Sequence, residues 1–250
     1  MNDFAGQLQH LFTVDGLISL LTLALLEIVL GIDNIIFISI IAGKLTDKKE
    51  QQRARRIGLL LALVMRVGLL FSIVWIMEME NTLFTLFGND FSGRDIILFL
   101  GGVFLLAKTT SEIHEKMDEA DDDEEEKKNK VVSTLFSIVI QIVLIDIVFS
   151  FDSILTAIGI VDQVLIMIAA VIISMVIMLI FSESVSNFIN EHPTVKMLAL
   201  AFLLMIGVLL VMESFDVHVP KQYVYCSMAF AFLVEVLNMR MRKKKASKKK

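Results

Sequence analysis

Cysteine occurs once in this chain, at Cys226, and proline twice, at Pro193 and Pro220. A single thiol excludes any disulfide or thiolate cluster within one chain. Both prolines lie between apolar runs rather than inside them, so nothing in the long runs forces a helix to break. Charge is also scarce, at 20 % of residues, against 56 % hydrophobic and a mean hydropathy of +0.75. A soluble domain of this length is not so apolar, which leaves a membrane protein. The segment Met1 to Gly16 has no Lys or Arg and so lacks the basic region of a secretory signal. Its following apolar stretch is expected to stay as a membrane span.

Hydropathy reads out seven spans, at about 17–43, 57–77, 95–111, 131–160, 164–181, 196–213 and 222–239. Of the 23 Lys and Arg residues, 20 fall in the segments 44–56, 108–130, 182–196 and 240–250. Arg94 and Lys221 alone fall on the other side, and Arg66 lies inside a span. The positive-inside rule therefore predicts an external N-terminus and a cytoplasmic C-terminus.

Acidic residues are rare inside the spans, and where they occur they repeat. Glu27-Ile-Val-Leu-Gly-Ile-Asp33-Asn34 returns as Asp146-Ile-Val-Phe-Ser-Phe-Asp152-Ser153, 119 positions later (27 to 146, 33 to 152). A carboxylate at the centre of a membrane helix costs roughly 2.5–3.5 kcal/mol on insertion scales. Gly102-Val-Phe-Leu-Leu-Ala-Lys108 is echoed by Gly207-Val-Leu-Leu-Val-Met-Glu213. Spans one to three thus match spans four to six, in opposite directions across the bilayer. The expected fold is an all-α membrane protein with a 3+3 inverted repeat and one extra helix, as in transporters with a midplane site. Its parts are an external N-terminus (1–16), a first repeat (17–115), an acidic cytoplasmic linker (116–130), a second repeat (131–218), a seventh helix (219–239) and a basic cytoplasmic tail (240–250). Spans one and four are overlong and are expected to unwind, kink or tilt near the motif.

Glu27, Asp33, Asp146 and Asp152, with Asn34 and Ser153, are the expected ligands of a hard divalent cation. Carboxylate and amide oxygens suit Mn²⁺, Mg²⁺ or Ca²⁺, and neither motif holds Cys or His. Protons could exchange for the metal on the same acids. Arg66 is the charge-balancing residue. The plainer reading of the acids, as ion-paired glue between helices, leaves three carboxylates without a partner. His114 and Glu112, at the cytoplasmic edge of span three, are lesser candidates for a vestibule. The run Asp118 to Glu126 reads as a solvated linker, and the Lys-rich tail from Arg240 as an anchor on anionic lipid. No nucleophile, cofactor or nucleic-acid signature is present, so an enzyme is not expected.

On Glu27-Ile-Val-Leu-Gly-Ile-Asp33-Asn34-Ile35 and Asp146-x5-Asp152-Ser153 the chain resembles the TerC family of integral membrane proteins, named for tellurium resistance. His192-Pro193-x-x-Lys196 and Glu213-Ser-Phe-Asp-Val-His218-x-Pro220 are similar to a shorter subgroup without an appended soluble domain. The resemblance implies a bacterial inner-membrane protein with seven spans, related to LysE exporters. It also implies Mn²⁺ export, with Glu27, Asp33, Asn34, Asp146 and Asp152 as ligands, and Ser153 as a weaker second-copy position. Two other readings stand beside it: a scaffold or metallation partner for exported proteins, and an exporter of a cationic organic solute. The latter calls for an aromatic-lined cavity, and neither motif has Trp or Tyr.

Overall fold

The computed structural model describes residues 11–72, 82–86, 89–121, 134–158, 161, 163–217 and 219–247. Seven helices run through them: α1 (Val14–Ala42), α2 (Lys48–Phe71), α3 (Gly93–Asp121), α4 (Leu135–Ile158), α5 (Val164–Glu191), α6 (Pro193–Glu213) and α7 (Lys221–Ser247). Five of these, α1, α3, α5, α6 and α7, are long and apolar enough to cross a membrane. In α4 the apolar stretch is shorter, Leu135–Phe151. Helix α2 opens on Lys48, Lys49, Arg53, Arg55 and Arg56, which place its first two turns outside any apolar layer.

Several helices outrun the apolar runs that announce them. α3 continues to Asp121, into the segment expected to be linker, and α5 continues to Glu191. Hydropathy marks where lipid is tolerated, whereas Glu, Lys and Met keep their helix propensity beyond that edge. One element departs from the all-helical expectation. Strands β1 (Thr82–Leu86) and β2 (Asn89–Ser92) form an antiparallel hairpin before α3. Its sequence is rich in Thr and Phe, residues that suit a pleated surface, and Phe84 stacks on Phe91 with centroids 5.4 Å apart. Phe91 in turn meets Phe215 beyond the end of α6. A capping box launches α3: Ser92 N donates to Asp95 Oδ2 (2.8 Å), and Asp95 N donates to Ser92 Oγ (3.2 Å).

α1 packs chiefly along α5, α2 along α4, and α3 against α6. α7 lies lightly on α6, with almost none of its surface buried. The α3–α6 crossing is set by two glycines. A Cβ on Gly102 would stand 2.9 Å from the Gly207 carbonyl oxygen and 3.0 Å from the Val211 nitrogen. One on Gly207 would meet Leu106 Cγ at 3.0 Å and the Gly102 oxygen only at 3.3 Å. Backbone cannot swing aside as a leucine tip can. Gly102→Ala is therefore expected to cost about 1–3 kcal/mol, and Gly207→Ala clearly less. Thermal melting of both variants in detergent checks the order; equal losses would remove the backbone clash as the cause.

α1 and α4 are continuous helices through both acidic motifs, which corrects the expectation that they unwind there. The reason lies at the middle of each motif. A Cβ on Gly31 would come within 2.5 Å of Met178 Sδ, so this glycine lets α5 approach α1 closely. Its counterpart Ser150 donates its hydroxyl to Asp146 Oδ2, one turn back on the same helix, at 3.0 Å.

Candidate functional site

Glu27 falls midway along α1 and Asp146 midway along α4; Arg66 projects from α2 between them. All three are buried, at 1 %, 3 % and 2 % exposure. Arg66 Nη1 stands 2.8 Å from Glu27 Oε2, and Nη2 stands 2.9 Å from Asp146 Oδ1. Nε adds contacts of 3.3 Å to both Asp146 oxygens. The planar fork of a guanidinium fits this bridging task in a way that a lysine could not. Charges this deep hold together only as a set, because removing one partner strands another.

Two polar residues complete the cluster, one from each motif. Asn34 Nδ2 donates to Asp146 Oδ1 at 3.4 Å, so the amide of the first motif serves the acid of the second. The Ser153 hydroxyl, 3.3 Å from the Ser150 carbonyl, is also within hydrogen-bonding reach of Glu27. Asn34 Oδ1 keeps no hydrogen-bond partner although it is buried. Beside it lies a cavity of about 40 Å³, lined by Asn34, Arg66, Ser153 and Tyr225 on the polar side and by Leu30, Phe149 and Ile206 among the apolar residues. An orphaned amide oxygen at such a cavity is a coordination point that the protein itself leaves unused.

The structure thus brings together Glu27, Asn34, Asp146, Ser153 and Arg66. Asp33 and Asp152 belong to the same helices, but their side chains lie outside the described residues. Among the described residues, no group of three or more His, Cys, Asp and Glu side chains gathers as a ready metal cage. Two carboxylates and one guanidinium leave one negative charge over, on the side chains that are described.

The structure does not bring Glu112 and His114 together. Glu112 is buried at 1 % exposure and paired with Lys44 (2.7 Å) and Lys108 (3.1 Å), whereas the His114 side chain is 77 % exposed beside Asp118. Two residues apart on a helix, they face nearly opposite ways. Burial alone would lower the Lys44 pKa, but hydrogen bonds and charge from Glu112 and Glu115 outweigh it, and the net shift is upward. Lys44 therefore stays charged and ties the end of α1 to α3. Sequence reasoning missed this network because its members lie 68 positions apart (44 to 112). It missed Ser150 as a partner of Asp146 for another reason. The i, i+4 spacing was legible, but serine in a membrane helix more often bonds its own backbone.

A model of the integral membrane protein TerC family matches residues 12–250. A UPF0053 protein of Haemophilus influenzae is 47 % identical over 226 residues, covering 90 % of this chain and 94 % of that protein. The UPF0053 inner membrane protein YgdQ of Escherichia coli is 48 % identical over 223 residues, covering 89 % and 92 %. The UPF0053 inner membrane protein YoaE of the same organism is 48 % identical over 219 residues, 88 % of this chain but 42 % of its own length. No solved structure matches. With its paired acidic motifs on two packed helices and a family match over nearly its whole length, the chain belongs to the TerC family of integral membrane proteins.

Proposed function

We propose that this protein exports a divalent cation, Mn²⁺ foremost, across the bacterial inner membrane in exchange for protons. Seven spans would carry it, with the N-terminus outside and the C-terminus in the cytoplasm. The observation that carries the reading is the exchange of partners at the centre. Asn34 serves Asp146 while Ser153 reaches Glu27, and 119 positions separate both the amide from the hydroxyl and the two acids (34 to 153, 27 to 146).

That exchange is what a twofold axis in the membrane plane would produce, and the surrounding helices support it. All seven buried residues of α2, from Ala54 to Leu70, shifted by 112 positions, fall on buried residues of α5, from Ile166 to Ser182. Met178 then takes the place of Arg66. In the same way Leu98, Gly102 and Leu105 of α3 shift by 105 onto buried Leu203, Gly207 and Leu210 of α6. Directions agree as well. α1 and α5 run parallel, since Gly31 meets Met178 and Gly43 meets Asn190; so do α2 and α4, through Gly58 with Ile142 and Arg66 with Asp146. α1 and α4 run antiparallel, since Asn34 pairs with Asp146 while Ser153 comes within reach of Glu27. Exchanging the halves carries the α1–α5 pair onto α4–α2. Sites between inverted repeats are where alternating access opens and closes.

At that point two oxyanions, an unused amide oxygen and a hydroxyl offer the donor set of a hard cation, with Asp33 and Asp152 expected to add to it. Arg66 holds the carboxylates when no cation does, so the empty site can cross the cycle without bare charge. The relatives named as inner membrane proteins support the location. Mn²⁺ flux into proteoliposomes with a trapped pH dye tests the reading, with wild type beside Asp33→Asn and Asp152→Asn. Metal movement against protons, lost in both variants, is the expected result. Folded wild-type protein that moves no Mn²⁺ at any pH gradient would end the proposal.

A further inference from the structure

Along one flank of the molecule, α1, α5 and α6 form a trough that α7 roofs without filling. The space is about 680 Å³, within the range of pockets that enclose whole ligands. Its walls include Val29, Ile36, Phe188, Phe202 and Phe232, and among the described residues lining it only Ser184 and Tyr225 carry a polar group. The space is partly open and α7 is held lightly, which gives a flexible apolar rod a way in. The inner end of the trough is Tyr225, which also lines the cavity beside Asn34 and Arg66. The other end lies near the start of α6, where Thr194 donates to Glu235 of α7 at 2.5 Å.

Beyond that end, α7 carries Arg240, Arg242 and Lys244, all exposed. From Tyr225 to Arg240 is fifteen residues, about 22 Å along a helix. Half a bilayer, headgroups included, is about 20–22 Å thick. With the charged cluster at mid-depth, Arg240 falls at headgroup level, beyond the trough along α7. Apolar length and terminal positive charge thus succeed one another at the spacing of one phospholipid.

We propose that this trough is a binding site for an anionic phospholipid, one acyl chain lying between α7 and the α1–α5–α6 wall and the phosphate on the basic end of α7. The chain adds packing between α7 and the α1–α5 wall, where among the described residues the ring of Phe232 meets Phe188. Its tip reaches Tyr225, so an occupied trough holds that ring over the central cavity. The leaflet, cytoplasmic, rests on the orientation proposed above; the binding itself does not.

The test is native mass spectrometry of the full chain, delipidated and then titrated with phosphatidylglycerol or phosphatidylcholine of the same chains. Wild type should prefer phosphatidylglycerol by about fivefold for each basic residue engaged. Ala229→Trp, which fills the trough from α7, should cut retained lipid about tenfold, and Leu198→Trp does so independently from the opposite wall. Val176→Trp, exposed on α5 away from the trough, is the control and should bind as wild type. Arg240→Gln with Arg242→Gln should level the two lipids while the chain is still held. Asp33→Asn should bind lipid as wild type even where flux is lost, which separates this proposal from the transport reading. Retention by both tryptophan variants equal to that of wild type, or no headgroup preference in wild type, overturns the site.

Discussion

Replacing Arg66 by methionine is expected to lower the melting temperature by about 10 °C in metal-free detergent, and saturating Mn²⁺ should return a large part of the loss. The guanidinium is buried between Glu27 and Asp146, with contacts of 2.8 and 2.9 Å. Removing one member of a buried ionic set costs about 3–5 kcal/mol, because the stranded charges keep their desolvation penalty. For a chain of this size each kcal/mol is worth about 2–4 °C. Methionine keeps similar length without charge, and it is what the second half already carries at Met178, the position matching Arg66. A divalent cation that binds the two carboxylates stabilises the fold by about 2.7 kcal/mol at a hundredfold excess over its Kd. Melting curves across a Mn²⁺ titration, with Na⁺ at equal ionic strength as control, read both effects. A variant that loses stability but gains nothing from Mn²⁺ would mean that these carboxylates are structural glue and take no cation in place of the arginine.

The same residue shows what could be read without coordinates. Two acids in matching motifs, an arginine alone inside a span and an echoed glycine were all visible, because each is a rare event in an apolar background. Rarity in lipid is a strong signal, since the bilayer penalises every departure from it. What stayed hidden was how Arg66 divides itself. Sequence could offer it to one acid, whereas the structure bridges it across two helices that are 119 positions apart in motif and antiparallel in space. The continuity of α1 and α4 was also illegible. Gly31 can loosen a helix or admit a neighbour, and only coordinates show Met178 lying against it. The hairpin at 82–92 went unread because its short strands follow an apolar run and carry no Gly or Pro turn signal beyond Gly88.

Asp146→Asn should cost more than Glu27→Gln, both in stability and in transport, although the two acids are matched in the repeat. Asp146 accepts from Arg66 through two nitrogens, from Ser150 and from Asn34. Glu27 has Arg66 and the reach of Ser153. An amide at 146 turns one acceptor into a donor that faces other donors, so several contacts fail together, at about 1.5–3 kcal/mol for each charged bond. Glu27→Gln loses fewer. The expected order of melting temperatures is wild type, Glu27→Gln, then Asp146→Asn, and both variants should fall at least about tenfold in Mn²⁺ affinity, since each removes a carboxylate from the donor set. Equal losses would show that the two halves hold the cluster alike. The unequal result has a consequence for the cycle. Under the proposed alternating access, with Arg66 in one half and Met178 in the other, the two ends of the movement would differ in energy. On that proposal the conformation that keeps Arg66 on Asp146 would be the resting one, and a cation that displaces the guanidinium would release it.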